Sequence, residues 1–182
     1  LGTELPDPII PEDVPGDCLD DPSLVGSGDC SNTIETQFFN GAFDYAETRF
    51  TLEAPEGTSG LAMDFAFFTS EYPNYIGSNF NDMFVIWLES ESWTGNIAID
   101  GMGNAIAVDV VYLDYKDDNL DLPELAETCM KGHGATKWLT ASQAVSGGET
   151  VTIVAAIFDG GDALLDAFAI VDGFRWECGA CP

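Results

Sequence analysis

Leu61-Ala-Met-Asp-Phe-Ala-Phe-Phe-Thr69 and, after a loop, Met83-Phe-Val-Ile-Trp-Leu88 decide the fold class. Each run is short, aromatic and partly β-branched, the composition that suits a buried, pleated strand. Upstream, Phe50, Leu52 and Ala54 alternate with Thr51 and Glu53, the two-residue period of a half-buried strand. Further runs at 96–100, 105–115, 137–145, 150–158 and 167–176 are separated by turn signals, notably Pro55-Glu-Gly57, Asp100-Gly101, Ser146-Gly-Gly148 and Asp159-Gly-Gly161. Runs that are apolar on both faces, such as Val151 to Phe158, belong in central positions. No window carries a sustained 3.6-residue stripe, and 122–130, with Pro123 near its start, is the one helical candidate. About nine strands joined by short turns predict an all-β fold, an antiparallel β-sandwich with jelly-roll-like topology. Residues 1–30 stand apart, with Pro6, Pro8, Pro11, Pro15 and Pro22, many acidic residues and no Lys or Arg. They read as an extended N-terminal arm in front of a single β-sandwich domain at 31–182.

Charge narrows the function. The 182 residues hold 32 Asp and Glu against 5 Lys and Arg, a net charge of -27. Such a polyanion repels phosphate backbones, which excludes nucleic-acid binding through a basic face. The cations Arg49, Lys116, Lys131, Lys137 and Arg175 are scattered, so no polybasic patch draws the chain to anionic membranes. No apolar run approaches the ~20 residues of a spanning helix, so membrane insertion is not expected. The chain is nonetheless no disordered tail, because hydrophobic residues make up 46% and aromatic residues 12%. A compact body with this charge is destabilised by self-repulsion, which bound divalent cations, a high-salt habitat or a well-spread surface can offset.

Cysteine spacing bears on the compartment. Cys18, Cys30, Cys129, Cys178 and Cys181 are far apart except for the last pair, and the single His133 is a poor fourth ligand, so zinc is disfavoured. A disulfide framework in an oxidising compartment is the better reading. Spacing leaves the pairing open; the working expectation is that Cys30 or Cys129 meets Cys178, with Cys181 left over. No secretory signal is visible in the acidic start Leu1-Gly-Thr-Glu4, which fits a mature chain whose signal has been removed.

The segment from Phe67 to Val85, Phe-Phe-Thr-Ser-Glu-Tyr-Pro-Asn-Tyr-Ile-Gly-Ser-Asn-Phe-Asn-Asp-Met-Phe-Val, resembles the signature of the choice-of-anchor L family. Val154 to Ile170, with its Phe-Asp-Gly-Gly-Asp turn, is similar to that family's closing strand, acidic turn and strand. Trp93-Thr-Gly-Asn-Ile97 and Gly132-His-Gly-Ala-Thr-Lys-Trp-Leu-Thr140 resemble its myxobacterial-type members. The resemblance covers roughly residues 30–178 and implies a secreted, surface-associated bacterial β-sandwich. Family members are joined to C-terminal anchoring tails; none follows Pro182, so the expectation is a processed or partner-held form.

Two acidic loops carry the chemistry. Glu71, Asn81 and Asp82 lie in one, and Asp159, Asp162 and Asp166 lie in or beside another whose two glycines let carbonyls turn inward. Carboxylates, amides and carbonyls are the hard oxygen ligands of calcium, and almost no Lys or Arg competes for them. The bland reading of the same residues is that they cap their own turns. Asp117-Asp-Asn-Leu-Asp121 starts like an EF-hand, but its sixth position is Leu122 and its twelfth Thr128, which rejects that motif. No phosphate loop, dinucleotide fingerprint, nucleophile elbow or paired-His zinc motif is present, so no catalytic residue is assigned. Tyr72 and Tyr75 beside the acidic loop, with Trp93 in a turn, suit a sugar face, whereas Trp87, Trp138 and Trp176 fall in predicted strands and are expected in the core. The function expected is a secreted, non-catalytic, calcium-binding surface module for adhesion or self-assembly, the partner being a second copy reached through the arm. A lectin-like binder of surface glycans is the alternative.

Overall fold

The computed structural model describes residues 42–100, 103–109 and 133–179. Nine strands fall within them: β1 (Ala42–Glu53), β2 (Thr58–Thr69), β3 (Met83–Glu89), β4 (Thr94–Asn96), β5 (Ile106–Ala107), β6 (Gly134–Ala135), β7 (Leu139–Gln143), β8 (Thr150–Gly160) and β9 (Ala167–Cys178). Among the described residues there is no helix. The arm at 1–30, the helical candidate at 122–130 and Cys18, Cys30, Cys129 and Cys181 lie outside these residues.

All the strand pairs are antiparallel and form two sheets. The first runs β1-β8-β3, with β4 and β5 sharing the far side of β3. In the second, β2 is flanked by β9 on one side and by β6 and β7 on the other. The pairing of β1 with β8 and of β2 with β7 is nested, as in a jelly roll, and β9 is added along the free side of β2. The expected β-sandwich is therefore the observed one.

Strand periodicity explains the core. Leu61, Met63, Phe65 and Phe67 project from one face of β2 onto Phe84, Ile86 and Leu88 of β3 and Val151 and Ile153 of β8. The rings of Phe65 and Phe84 meet between the sheets at 5.4 Å. The opposite face of β3 and β8 is buried as well, in a second cluster of Met83, Val85, Trp87, Val154, Ala156 and Phe158. Burial on both faces is why these strands read as unbroken apolar runs. A cavity of about 340 Å3 opens between β1 and β9, with Phe50, Phe84 and Ile157 among its walls.

Two expectations need correction. Trp138 precedes β7 and is 56% exposed, so it is not a core residue. The run at 105–115 yields only the two-residue β5 within the described residues, because the chain turns at Val108 and Asp109. Cys178 is exposed at the last position of β9, and the other four cysteines lie outside the described residues. It lies opposite Thr58 at the sheet end.

The inter-sheet core should dominate stability. Phe65→Ala, at a fully buried position, is expected to cost about 3–5 kcal/mol in denaturant unfolding. The outward Ser142→Ala should change it by less than about 0.5 kcal/mol.

Candidate functional site

One end of the sandwich gathers the end of β2, the start of β3, the end of β8 and the starts of β1 and β9, because Thr69 pairs with Ala167, Met83 with Phe158 and Ala42 with Gly160. The acidic residues singled out in the sequence lie at this end. Thr69 organises them: its hydroxyl accepts the Glu71 N–H at 3.1 Å and donates to Asp82 Oδ2 at 3.0 Å. The Asp82 N–H then donates to Glu71 Oε2 at 3.1 Å, closing a ring of three hydrogen bonds across the 70–82 loop. Both carboxylates are buried, Glu71 at 3% and Asp82 at 0% exposure. One acceptor is left over on each of two neighbours, for Asp82 Oδ1 and Asn81 Oδ1 are buried with no hydrogen-bond partner. An unpaired buried oxygen is costly, most of all on an ionised group.

The second loop is pressed directly against the first. A Cβ on Gly160 or Gly161 would stand 2.5 Å from the carbonyl oxygen of Asn81 or Asn79, so only glycine permits this approach. The Asn81 N–H donates to the Gly160 carbonyl at 3.0 Å, and the Asp166 carbonyl accepts both the Ser70 N–H at 3.1 Å and the Ser70 hydroxyl at 2.8 Å. Asp159 is buried at the end of β8, while Asp162 and Asp166 lie in and after the following turn.

Two further acidic residues belong here that the sequence reading missed. Asp44 takes a left-handed backbone, φ 47°, where the β1–β8 register slips between Phe43 and Ala46. This bulge is tolerated by Asp and brings its charge to Asp159. Asp109 accepts the Gly77 N–H at 2.6 Å, and its charge bears on Glu71. No local pattern marks Asp44 as special, since its role depends on a register set by β8. Asp109 was assigned to a strand, which hid its place in a turn.

The electrostatic consequence is uniform in sign. Burial, with the charges of Glu71 and Asp159 added, pushes the Asp82 carboxyl up to about 8. Burial and then the charges of Asp44 and Glu71 push Asp159 up to about 7. Glu71 is also raised, mainly by burial, against the lowering effect of the Asp82 N–H. The described arginines do not relieve this, because Arg49 pairs with Glu47 at 3.5 Å and Arg175 with Asp64 at 3.0 Å. Among the described residues, no three His, Cys, Asp or Glu side chains stand in metal-holding geometry. An ion here would therefore draw on Asn81 Oδ1, loop carbonyls and water besides carboxylates, a mixed hard-oxygen set that fits calcium and not a soft metal.

The aromatic candidates divide. Tyr72 is half-buried, and its carbonyl accepts a bond from His133 Nδ1 at 3.0 Å. Tyr75 is exposed on the same loop, its ring edge-on to Phe80 at 5.6 Å. Trp93 is elsewhere: it follows the far end of β3, half-buried, packs against the main core and covers Gly95, where a Cβ would meet its ring at 2.7 Å. Trp93 is thus half-buried against the core.

The family model of the Choice-of-anchor L domain matches residues 20–173, which include both acidic loops. The chain belongs to the choice-of-anchor L domain family. No curated protein and no solved structure matches the chain significantly. Membership marks a surface-associated extracellular module, secreted or anchored at a surface. Among the described residues of this choice-of-anchor L domain, no helix is long and apolar enough to cross a membrane.

The raised carboxyls fix a sign for pH dependence. A carboxyl whose folded pKa lies above its unfolded value stabilises the fold below the unfolded pKa and loses that contribution as pH rises through the folded one. Without added cations, the unfolding midpoint should fall between about pH 4 and pH 8 as Asp159 and Asp82 ionise. Asp82→Asn should flatten that fall in a pH series of thermal melts; an equally steep fall in the variant would remove Asp82 from its cause.

Proposed function

We propose that this domain is a non-catalytic extracellular adhesion module whose acidic end is held in shape by calcium. The observation that carries the reading is the fully buried Asp82 carboxylate, with Oδ1 unpartnered beside the unpartnered Asn81 Oδ1. A polar group in that position needs a proton or a cation. The surrounding charges of Glu71, Asp159 and Asp162 favour a cation over an anionic ligand and make a divalent ion the stronger partner. Glu71, Asn81 and Asp82 would hold the ion from the first loop and Asp159 from the second, with Asp162 and Asp166 at the rim. Its chemistry is structural: it would cancel repulsion between two loops that the glycines bring into backbone contact. Adhesion then falls to the ordered loop surface.

Thermal unfolding tests the metal. Millimolar calcium should raise the midpoint over chelator by about 5–10 °C, the shift expected when ligand exceeds its dissociation constant roughly a hundredfold. Asp82→Asn should lose most of this rise. An unchanged wild-type midpoint would sink the proposal, since a ligand bound only by the native state must raise it.

Glycan binding is a second reading, favoured by the exposed ring of Tyr75 on the acidic loop. Sugars stack on such rings while carboxylates and calcium take their hydroxyls. A glycan array in calcium buffer, with Tyr75→Ala as control, decides it: no retained glycan, or equal retention by the variant, argues against a lectin.

A further inference from the structure

The sandwich is open along the side where β1 and β9 lie. β1 ends its sheet and pairs only with β8, and β9 pairs only with β2, so among the described residues each strand has one free edge. Between these edges lies the cavity of about 340 Å3, walled by Ala46, Thr48 and Phe50 of β1, Ala169 and Val171 of β9 and Ile157 of β8. Phe50 meets Phe174 of β9 edge-on at 6.1 Å and closes the cavity at the end away from the acidic loops. The space has room for several waters, yet its mainly aliphatic and aromatic walls give them few hydrogen bonds. Free strand edges beside an apolar slot form a seat for one more extended segment, whose backbone takes the edge bonds and whose alternate side chains enter the slot.

We propose that the occupant of this seat is the chain's own segment at 31–41, which precedes β1 and lies outside the described residues. Its tether, its pattern and its charge single it out. Gly41 is joined to Ala42, the first residue of β1, and the cavity wall starts close by at Ala46. At about 3.3 Å per residue the segment reaches about 35 Å, well beyond the roughly 13 Å from Ala46 to Phe50. A segment tethered at the mouth is present at an effective concentration in the millimolar range, which favours it over a free partner. Ile34, Thr36 and Phe38 recur at every second position and so fall on one side of an extended chain, and Glu35 is the segment's single charged residue. Residues 1–30 lack this character: they are acidic without Lys or Arg and are repelled by a body of net charge -27. The family match begins at residue 20, ahead of β1, so the domain's own unit includes 31–41. Running back along β1 also carries the acidic arm about 25 Å from the acidic end, more than two Debye lengths at physiological salt. Once seated, the segment covers the free edge of β1 and denies it to a second copy.

Photo-cross-linking in the full chain tests this. p-Benzoylphenylalanine in place of Val171, which lines the cavity and is 40% exposed, should capture residues 31–41 of the same chain, read by peptide mass mapping of the monomer band. The same label in place of Ile170, 43% exposed on the opposite face of β9, should capture them about tenfold less. Ile34→Asp with Phe38→Asp should lower capture from position 171 by about tenfold or more, because a carboxylate entering the apolar slot gives up its hydration. Capture of 31–41 only in a covalent dimer overturns the own-chain occupant and assigns the seat to a second copy. Capture confined to β1, β8 and β9, or equal capture from positions 170 and 171, overturns the docking outright. Unchanged capture by the double Asp variant overturns the insertion of these side chains into the slot.

Discussion

The Thr69 hydroxyl accepts the Glu71 N–H and donates to Asp82 Oδ2, while the Asp82 N–H reaches back to Glu71. The ends of the 70–82 loop therefore cannot part without breaking bonds between buried groups, and the entry of β3 into its sheet is set by the exit of β2 from the other. The same ring fixes two carboxylates inside the protein and leaves Asp82 Oδ1 unpaired. Structure and latent chemistry thus share one origin. Had Thr69 been apolar, Asp82 Oδ2 would lose the hydroxyl that donates to it, and burying the carboxylate would cost more.

The second acidic loop depends on that first constraint. Gly160 and Gly161 lie against carbonyls at 79 and 81, so the backbone of one loop is the wall of the other. Carboxylates carried on both sides of such a wall repel one another at short range in poorly solvated surroundings, which is why the largest charge effects on Asp82 and Asp159 come from neighbouring acids. The overall charge of -27 is a different matter. One divalent ion cancels two charges, so a cation at this end relieves a local conflict and leaves the rest of the acidic surface as it was.

Much of the sandwich was legible because strands with one buried face alternate and strands with two buried faces do not. β2 and β8 showed those habits in sequence, and turns at Pro55-Glu-Gly57 and Ser146-Gly-Gly148 separated the elements. What the sequence hid depends on partners far along the chain. The bulge at Asp44 exists only in register with β8. Ring exposure is decided by what lies above the strand: Gly95 makes room for the half-buried Trp93, whereas Trp138, expected in the core, precedes a strand on an outer edge and is exposed. The acidic loops were visible as composition, yet the ring that buries Glu71 and Asp82 was not, because a threonine at the end of a strand looks like any other strand threonine.

The two sheets are also unequal, and that inequality orients the molecule. β3 and β8 are covered on both faces, whereas β2 and β9 leave an outer face bearing the stacked Phe68 and Phe168 rings and the Asp64–Arg175 pair. β9 begins beside the acidic end and finishes at Cys178 on the opposite one. A body with its charge conflict and its glycine-tight loops at one end is polar in the geometric sense. Its rigid ladder serves to hold those loops in place, since two loops on separate sheets keep a fixed spacing only if the core between the sheets does not yield. The Phe65–Phe84 contact in that core is therefore part of the site's mechanics.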